Sequence, residues 1–276
     1  MNKTVKILSI ITVIFFALIT NSWGDHMFDK KLSVKENMGK YMRTTYGKEF
    51  VLSEPRLVGG GWGRPATTYV SKKAYPVDDH EIKFDISWDT QERTYIDTYL
   101  ATRWSMEGRK AMERKLREVY GEGNFYIRKF FSGWNDAKDQ KFTWVDLMKK
   151  RAERNRIDFY YAVFFEGGLN RKKEAQRAYK ILKGNFIDYK VGQYNFAVLF
   201  IYKDNKEQLI NIYADKQKSS KVGMDELHKS GLMKDWIRVN YLEGAYEKFK
   251  GKYPLEAEVK SVEDLLNTRF QIKEGK

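Results

Sequence analysis

Glu107 with Glu113, and Asp225 with Glu226, are the carboxylate pairs from which a hydrolytic site would be built. Glycosidic cleavage needs two carboxyl groups about 5–10 Å apart across a cleft, one giving a proton and the other acting as nucleophile or base. Most acids here alternate with lysine and arginine, the pattern of solvent-exposed ion pairs on helix faces. Asp78-Asp79-His80-Glu81 holds the ingredients of a metal site. Neighbours in a strand point to opposite faces, so the four cannot all converge, although Asp79 and Glu81 could share a face. A solvated turn is the expected structure there. The three histidines are His26, His80 and His228. None lies in an H-E-x-x-H pattern or at a paired zinc spacing. A Ser-His-Asp triad would have to use His80 or His228, and no G-x-S-x-G elbow is present. With no cysteine in the chain, disulfides, thiolate metal sites, thiol nucleophiles and lipid attachment through an N-terminal cysteine are excluded. No catalytic residue, metal ligand or cofactor is therefore expected.

The glycine-rich stretch Arg56–Val70, RLVGGGWGRPATTYV, raises the question of a phosphate cradle. A P-loop requires G-x-x-x-x-G-K-[ST] leading into a helix, with backbone N–H groups around the phosphates. Here Gly63 is followed by Arg64-Pro65, proline has no N–H, and the next segment has strand character. A flexible hairpin loop fits better. Trp62 and Arg64 at its tip pair an aromatic face with a planar cation, suited to a sugar ring or a phosphate.

Charge carries more information. The chain has 276 residues and a formal charge of +14. The basic residues gather on three predicted helices: Arg109, Lys110, Arg114, Lys115 and Arg117; Lys149, Lys150, Arg151, Arg154 and Arg156; and Arg171, Lys172, Lys173, Arg177, Lys180 and Lys183. Each helix turns an apolar stripe to the core, so its cations face outward. Two clusters on one side would form an anion-binding face with salt-sensitive affinity. Either an anionic cell-wall polymer or a phospholipid surface fits that field, and a protein partner is the further possibility. Nucleic acid is the weaker expectation, because no RNP box or zinc finger is present.

These residues must be positioned by the elements around them. Ser33 with Glu36 is a capping box, and Val34, Met38, Tyr41 and Met42 follow at helical spacing up to Gly47. Strands are expected at 49–52, 67–75 and 82–88, the last with Ile82, Phe84, Ile86 and Trp88 alternating with polar residues. Asp89 with Glu92 is read as the cap of a long helix carrying Ile96, Leu100, Trp104, Met112, Leu116 and Val119, with Gly108 in its middle. Beyond Gly121 the expected order is a strand at 125–131, a helix capped by Thr143 and Asp146, and a central strand at 157–165. A helix from Asn170 to Gly184 comes next. A hairpin of 196–202 and 208–213 is then expected, followed by a long helix through Leu232, Trp236, Val239, Leu242, Tyr246 and Phe249, and a short helix at Ser261. The fold class is α+β: an N-terminal α-β-β-β-α unit with a curled antiparallel sheet, followed by a mixed α/β unit. The expected domains are a signal peptide over 1–24, the first unit over 25–122 and the second over 123–276.

The leader sets the expected address. Lys3 and Lys6 precede the apolar run Ile7–Thr20, and Ser22 and Gly24 are the small residues before a cut. A run of about 14 residues is short of the roughly 20 a spanning helix needs. Cleavage near Gly24 is expected, with an uncleaved anchor as the alternative. The pieces Tyr46–Val51, Tyr75–Asp79, Phe84 and Tyr95–Leu100 resemble a pattern in small, uncharacterised exported proteins of Gram-positive bacteria, over about residues 30–120. That resemblance implies export and the α-β-β-β-α layout, and no activity. The expected function is non-enzymatic: an exported envelope or secreted bacterial protein that binds an anionic polymer, a membrane surface or a protein partner through basic helix faces. An envelope hydrolase acting on glycan or phosphoester through paired carboxylates, and a membrane-anchored component of a secretion or conjugation assembly, are the alternatives.

Overall fold

Ser33 and Glu36 close their capping box as the sequence requires. The Ser33 hydroxyl accepts from the Glu36 N–H at 3.2 Å, and the Glu36 carboxylate accepts from the Ser33 N–H at 2.7 Å. Helix α1 runs Val34–Tyr46 and stops at Gly47, whose φ of 66° is the left-handed turn that glycine adopts without cost. This computed structural model describes residues 28–59, 66–215, 222–242 and 259–266. The chain divides into two compact units. One takes the chain up to Thr102 together with Asn135–Gln140; the other takes Arg103–Trp134 and the chain from Lys141 onward.

In the first unit β1 (Phe50–Val51), β2 (Arg56–Val58), β3 (Thr68–Pro76), β4 (Phe84–Asp89) and β5 (Thr94–Asp97) form one antiparallel sheet. Its order is β1-β3-β4-β5, with β2 also paired to β3. The alternation read in β4 is real: Ile82, Phe84, Ile86 and Trp88 are buried while Lys83 and Asp85 are exposed. Met38, Met42 and Tyr46 of α1 are buried, and the Tyr46 ring meets Tyr99 edge-on at 4.9 Å, as Phe50 meets Phe84 at 5.6 Å. Burying each such side chain contributes about 1.5–3 kcal/mol.

One sequence expectation fails here. Asp89 does not cap a helix. Its carboxylate accepts from the Gln91 and Glu92 N–H groups at 2.9 and 3.1 Å, turning β4 into β5. Ile96 then pairs with Ser87 in the ladder and is 59% exposed, and the long helix α2 (Tyr99–Tyr120) begins only at Tyr99. Strand pairing, a tertiary term, overrides helical spacing over this first turn.

The second unit is built on the mixed sheet β6-β7-β8-β9, comprising Phe125–Ser132, Arg156–Phe165, Gln193–Tyr202 and Met233–Leu242. The central pair β7–β8 is parallel and the outer pairs are antiparallel. Helices α3 (Trp144–Arg151), α4 (Arg171–Leu182), α5 (Lys206–Ala214) and α6 (Met224–Lys229) accompany it, with a π turn at Lys183–Ile187 and a helical turn at Val262–Asp264. IDFYYAVFF is the central strand that its two apolar faces predicted.

Two assignments are corrected. Residues 208–213 are helical in α5, which sets buried Leu209 with Ile212 and Tyr213 against Ala162, Phe164, Leu199 and Ile201. The stretch expected as a long helix is strand β9 where it is described, and its remainder beyond Leu242 lies outside the described residues. Trp236, Ile237 and Val239 are all buried, so apolar side chains occupy both faces of β9. That produces the i, i+3 recurrence mistaken for a helical stripe. The class, α+β with a mainly antiparallel first unit and a mixed second one, stands.

Candidate functional site

Gly108 explains how α2 and α3 come to share a groove. A Cβ at that position would stand 2.6 Å from Cζ of Phe130 and 3.1 Å from the Trp144 ring. Without a side chain there, α2 lies close against β6 and the start of α3. The contact is fixed by polar groups at both ends. Trp144 donates its N–H to the Glu107 carboxylate at 2.6 Å, and the Trp104 indole donates to the Phe142 carbonyl at 3.0 Å. Thr143 and Asp146 cap α3 reciprocally, as their spacing predicted.

The resulting groove, about 250 Å³, is lined by Ala111, Met112, Arg114, Lys115 and Glu118 of α2, by Trp144, Val145 and Met148 of α3, and by Asn185 and Tyr189 after α4. Met112, Trp144 and Met148 are buried, but Val145 remains 49% exposed. The floor is thus apolar and the lip is basic. Lys115 is paired with Glu118 at 3.3 Å across an exposed surface, an interaction worth about 0–1 kcal/mol and easily exchanged for a ligand anion.

The three basic clusters are only partly brought together. Arg114 and Lys115 line the groove, and the exposed Lys149 and Lys150 extend from the helix that forms its other wall. Lys150 lies 4.3 Å from the Phe142 ring centre. Arg109 donates to the Ile127 carbonyl at 2.9 Å, and both it and Lys110 beside it are exposed. Arg154 is exposed on the turn before β7. On α4, Lys172 and Lys173 are exposed, but Arg177 pairs with Glu174 at 2.8 Å and lies over Tyr120. Trp62 and Arg64 of the glycine loop, and the leader with His26, lie outside the described residues. Met112 of the floor lies on the apolar stripe read for the long helix, whereas Asn185 and Tyr189 join the groove only through tertiary packing.

The candidate acids are held by local structure. Glu107 pairs with Arg103 at 3.3 Å besides capping α3, Glu113 pairs with Arg117, and Glu226 accepts from the Gly223 N–H at the start of α6. Asp78 bonds Lys48 at 2.7 Å, and the Asp79 carboxylate closes the turn by accepting from the Glu81 N–H. His80 contacts the Val77 carbonyl through Nε2, and His228 the Met233 carbonyl through Nδ1, each at 3.1 Å. Among the described residues, no group of three or more His, Asp or Glu side chains is placed to hold a metal ion.

In the first unit a cleft of about 690 Å³ is lined in part by Phe28, Tyr69, Trp88 and Arg93. Its tryptophan ring is already stacked on Phe28 at 5.0 Å and packed on Tyr95 at 4.4 Å. Asp97 is a buried carboxylate of that unit. It accepts from the Tyr41 and Tyr46 hydroxyls at 3.1 and 3.0 Å and from the Tyr99 N–H at 3.0 Å, tying α1 to the start of α2. Burial nevertheless raises its pKa above the ordinary 3.8. A carboxyl whose folded pKa is raised contributes stability fully below the unfolded pKa and loses it as pH rises through the folded one. Thermal melts should therefore show an acid-favoured component from about pH 3.8 upward, absent in Asp97→Asn. Identical pH profiles for the two proteins would refute this.

No protein-family model matches the chain, and none of the curated proteins compared is similar to it. Among solved structures it has weak similarity to a DUF5037 family protein from Ruminococcus gnavus, a Gram-positive bacterium. The TM-score is 0.39 at 14% identity, covering 77% of this chain and 92% of that one.

Proposed function

We propose that this is an exported, non-enzymatic protein of the bacterial envelope or medium that binds an anionic cell-wall polymer through the α2–α3 groove. The observation that supports this reading is the joining of Arg114 and Lys115 to an apolar floor of Met112, Trp144, Val145 and Met148 in one groove. The cations pair with phosphate or carboxylate groups of the polymer, and the floor takes the uncharged backbone between them. Cleavage removes Lys3 and Lys6 from the formal charge of +14, and the strongly positive remainder steers the chain to the anionic polymer. The basic-apolar-small leader supports export, with cleavage near Gly24. No helix of the described residues is long and apolar enough to cross a membrane.

Purified chain should bind wall teichoic acid at low salt and lose affinity steeply toward 1 M salt, where the screening length falls from about 10 Å at 0.1 M to about 3 Å. The double reversal Arg114→Glu/Lys115→Glu should weaken binding by about tenfold or more, equivalent to about 1.4 kcal/mol. Anionic phospholipid vesicles run in parallel separate a headgroup surface from the polymer. Absence of binding at low salt, or a double reversal that binds like wild type, would overturn the reading. Mass analysis of the native protein tests the address: a chain beginning at Asp25 is expected.

A further inference from the structure

The second unit's sheet carries different chemistry at the two ends of one face. At one end Ala162, Phe164, Leu199, Ile201 and Trp236 are buried under α5 and α6. At the other end, around the start of β7, the same face turns polar and aromatic. Lys129 bonds Asp158 at 2.6 Å, Asn195 donates to Asp158 at 2.7 Å, and Arg156 lies 3.3 Å from the same carboxylate. The Lys129 ammonium is 5.9 Å from the Phe131 ring centre and 5.5 Å from that of Tyr160. Lys129, Phe131, Arg156, Asp158, Tyr160 and Asn195 therefore form one cluster across three strands.

A register shift makes this arrangement. Ile127 pairs with Tyr161 but Lys129 pairs with Tyr160, so Arg128 is an extra residue in β6. Arg128 reaches the Tyr213 ring at 4.4 Å, and Lys129 and Phe131 are carried onto the face of Asp158. The cluster is exposed where it matters for a ligand. Lys129 and Arg156 side chains keep 46% and 51% of their exposure, while Asp158 keeps 3%. Phe131 is among the exposed large apolar residues of the chain. Asp158 offers one negative charge to two cations, so the surface remains cationic. Burial pushes the Asp158 carboxyl up, but Lys129, Asn195 and Arg156 outweigh that and hold it ionised below the ordinary range.

We infer that this end of the sheet is a binding platform for an acidic saccharide. An aromatic ring stacks on the apolar C–H face of a sugar. An amide bonds hydroxyl groups, and exposed Arg156 and Lys129 pair with a carboxylate or phosphate substituent. Strands about 4.8 Å apart give β6 to β8 a width suited to about two rings. Single-stranded nucleic acid is the less suited occupant. It needs successive exposed rings for successive bases, whereas Phe131 is the exposed ring of the cluster and Tyr160 is half-buried. The inference stands on this sheet face and not on the α2–α3 groove.

The test is calorimetric titration of the purified chain at low salt with oligogalacturonate, neutral maltohexaose and oligothymidylate. Oligogalacturonate should bind, maltohexaose should bind at least tenfold more weakly, and oligothymidylate no more tightly than oligogalacturonate. Phe131→Ala and Arg156→Gln should each weaken oligogalacturonate at least tenfold while melting like wild type. Arg114→Glu/Lys115→Glu should leave this binding within about twofold, which separates failure of the platform from failure of the groove. The platform is overturned by absence of oligogalacturonate binding, by unchanged binding in both platform variants, or by tighter binding of oligothymidylate. If one platform variant fails to fold, the other decides.

Discussion

Replacing Arg171 with alanine is expected to destabilise the second unit by about 3–5 kcal/mol, the cost of removing one partner of a buried ion pair. Arg171, at the first turn of α4, places its guanidinium 2.6 Å from Asp235, whose side chain is 1% exposed. Asp235 also accepts from the Trp236 N–H at 2.7 Å, so the carboxylate is fixed in β9 and cannot swing out to water. The pair links α4 to the strand beside β8, two elements distant in the chain. Urea denaturation should show the midpoint falling sharply at unchanged slope. The paired replacement Arg171→Met/Asp235→Leu supplies the contrast, because exchanging both charges for apolar groups of similar size is near neutral or stabilising. If Arg171→Ala costs less than about 1 kcal/mol, the buried pair does not hold α4 to the sheet.

Gly192→Ala is expected to cost about 3 kcal/mol, the upper end of overpacking. A Cβ at Gly192 would meet the backbone of Glu153, with its carbonyl carbon at 2.8 Å and its oxygen closer. Backbone cannot rotate aside as a side chain can. The Gly192 N–H donates to the Ala152 carbonyl at 3.0 Å, and the next residue, Gln193, opens β8 opposite Arg156. Relief of the clash must therefore pull the start of β8 away from β7. Gly184→Ala is the control: nothing lies within 4 Å of its Cβ position, and it sits in the helical turn after α4. It should be neutral or stabilising by up to about 1 kcal/mol. Equal denaturation midpoints for the two variants would refute the close approach.

Local signals were legible wherever one short range of sequence fixes the outcome. The Ser33–Glu36 and Thr143–Asp146 boxes, the Gly47 stop, the alternation through Trp88 and the doubly apolar strand Ile157–Phe165 all appear as read. Failures occur where pairing with another strand decides. Thr94–Asp97 is a strand because β4 pairs with it, and Met233–Leu242 is a strand because β8 does. Their apolar spacing fits either period.

The same division applies to function. Composition alone determined the cationic surface, the absence of thiol chemistry and the leader pattern, because those are sums or linear order. Tertiary structure decided which cations are available. Arg177 is half-buried over Tyr120, whereas exposed Arg114 and Lys115 are placed with Trp144 and Met148, residues about thirty positions away in the chain. It also inserted Arg128 into β6, a one-residue register shift that moves Lys129 and Phe131 to the face of Asp158. The physical reason is that a side chain's face depends on pairing register and on what packs behind it, and neither is encoded within its own few neighbours.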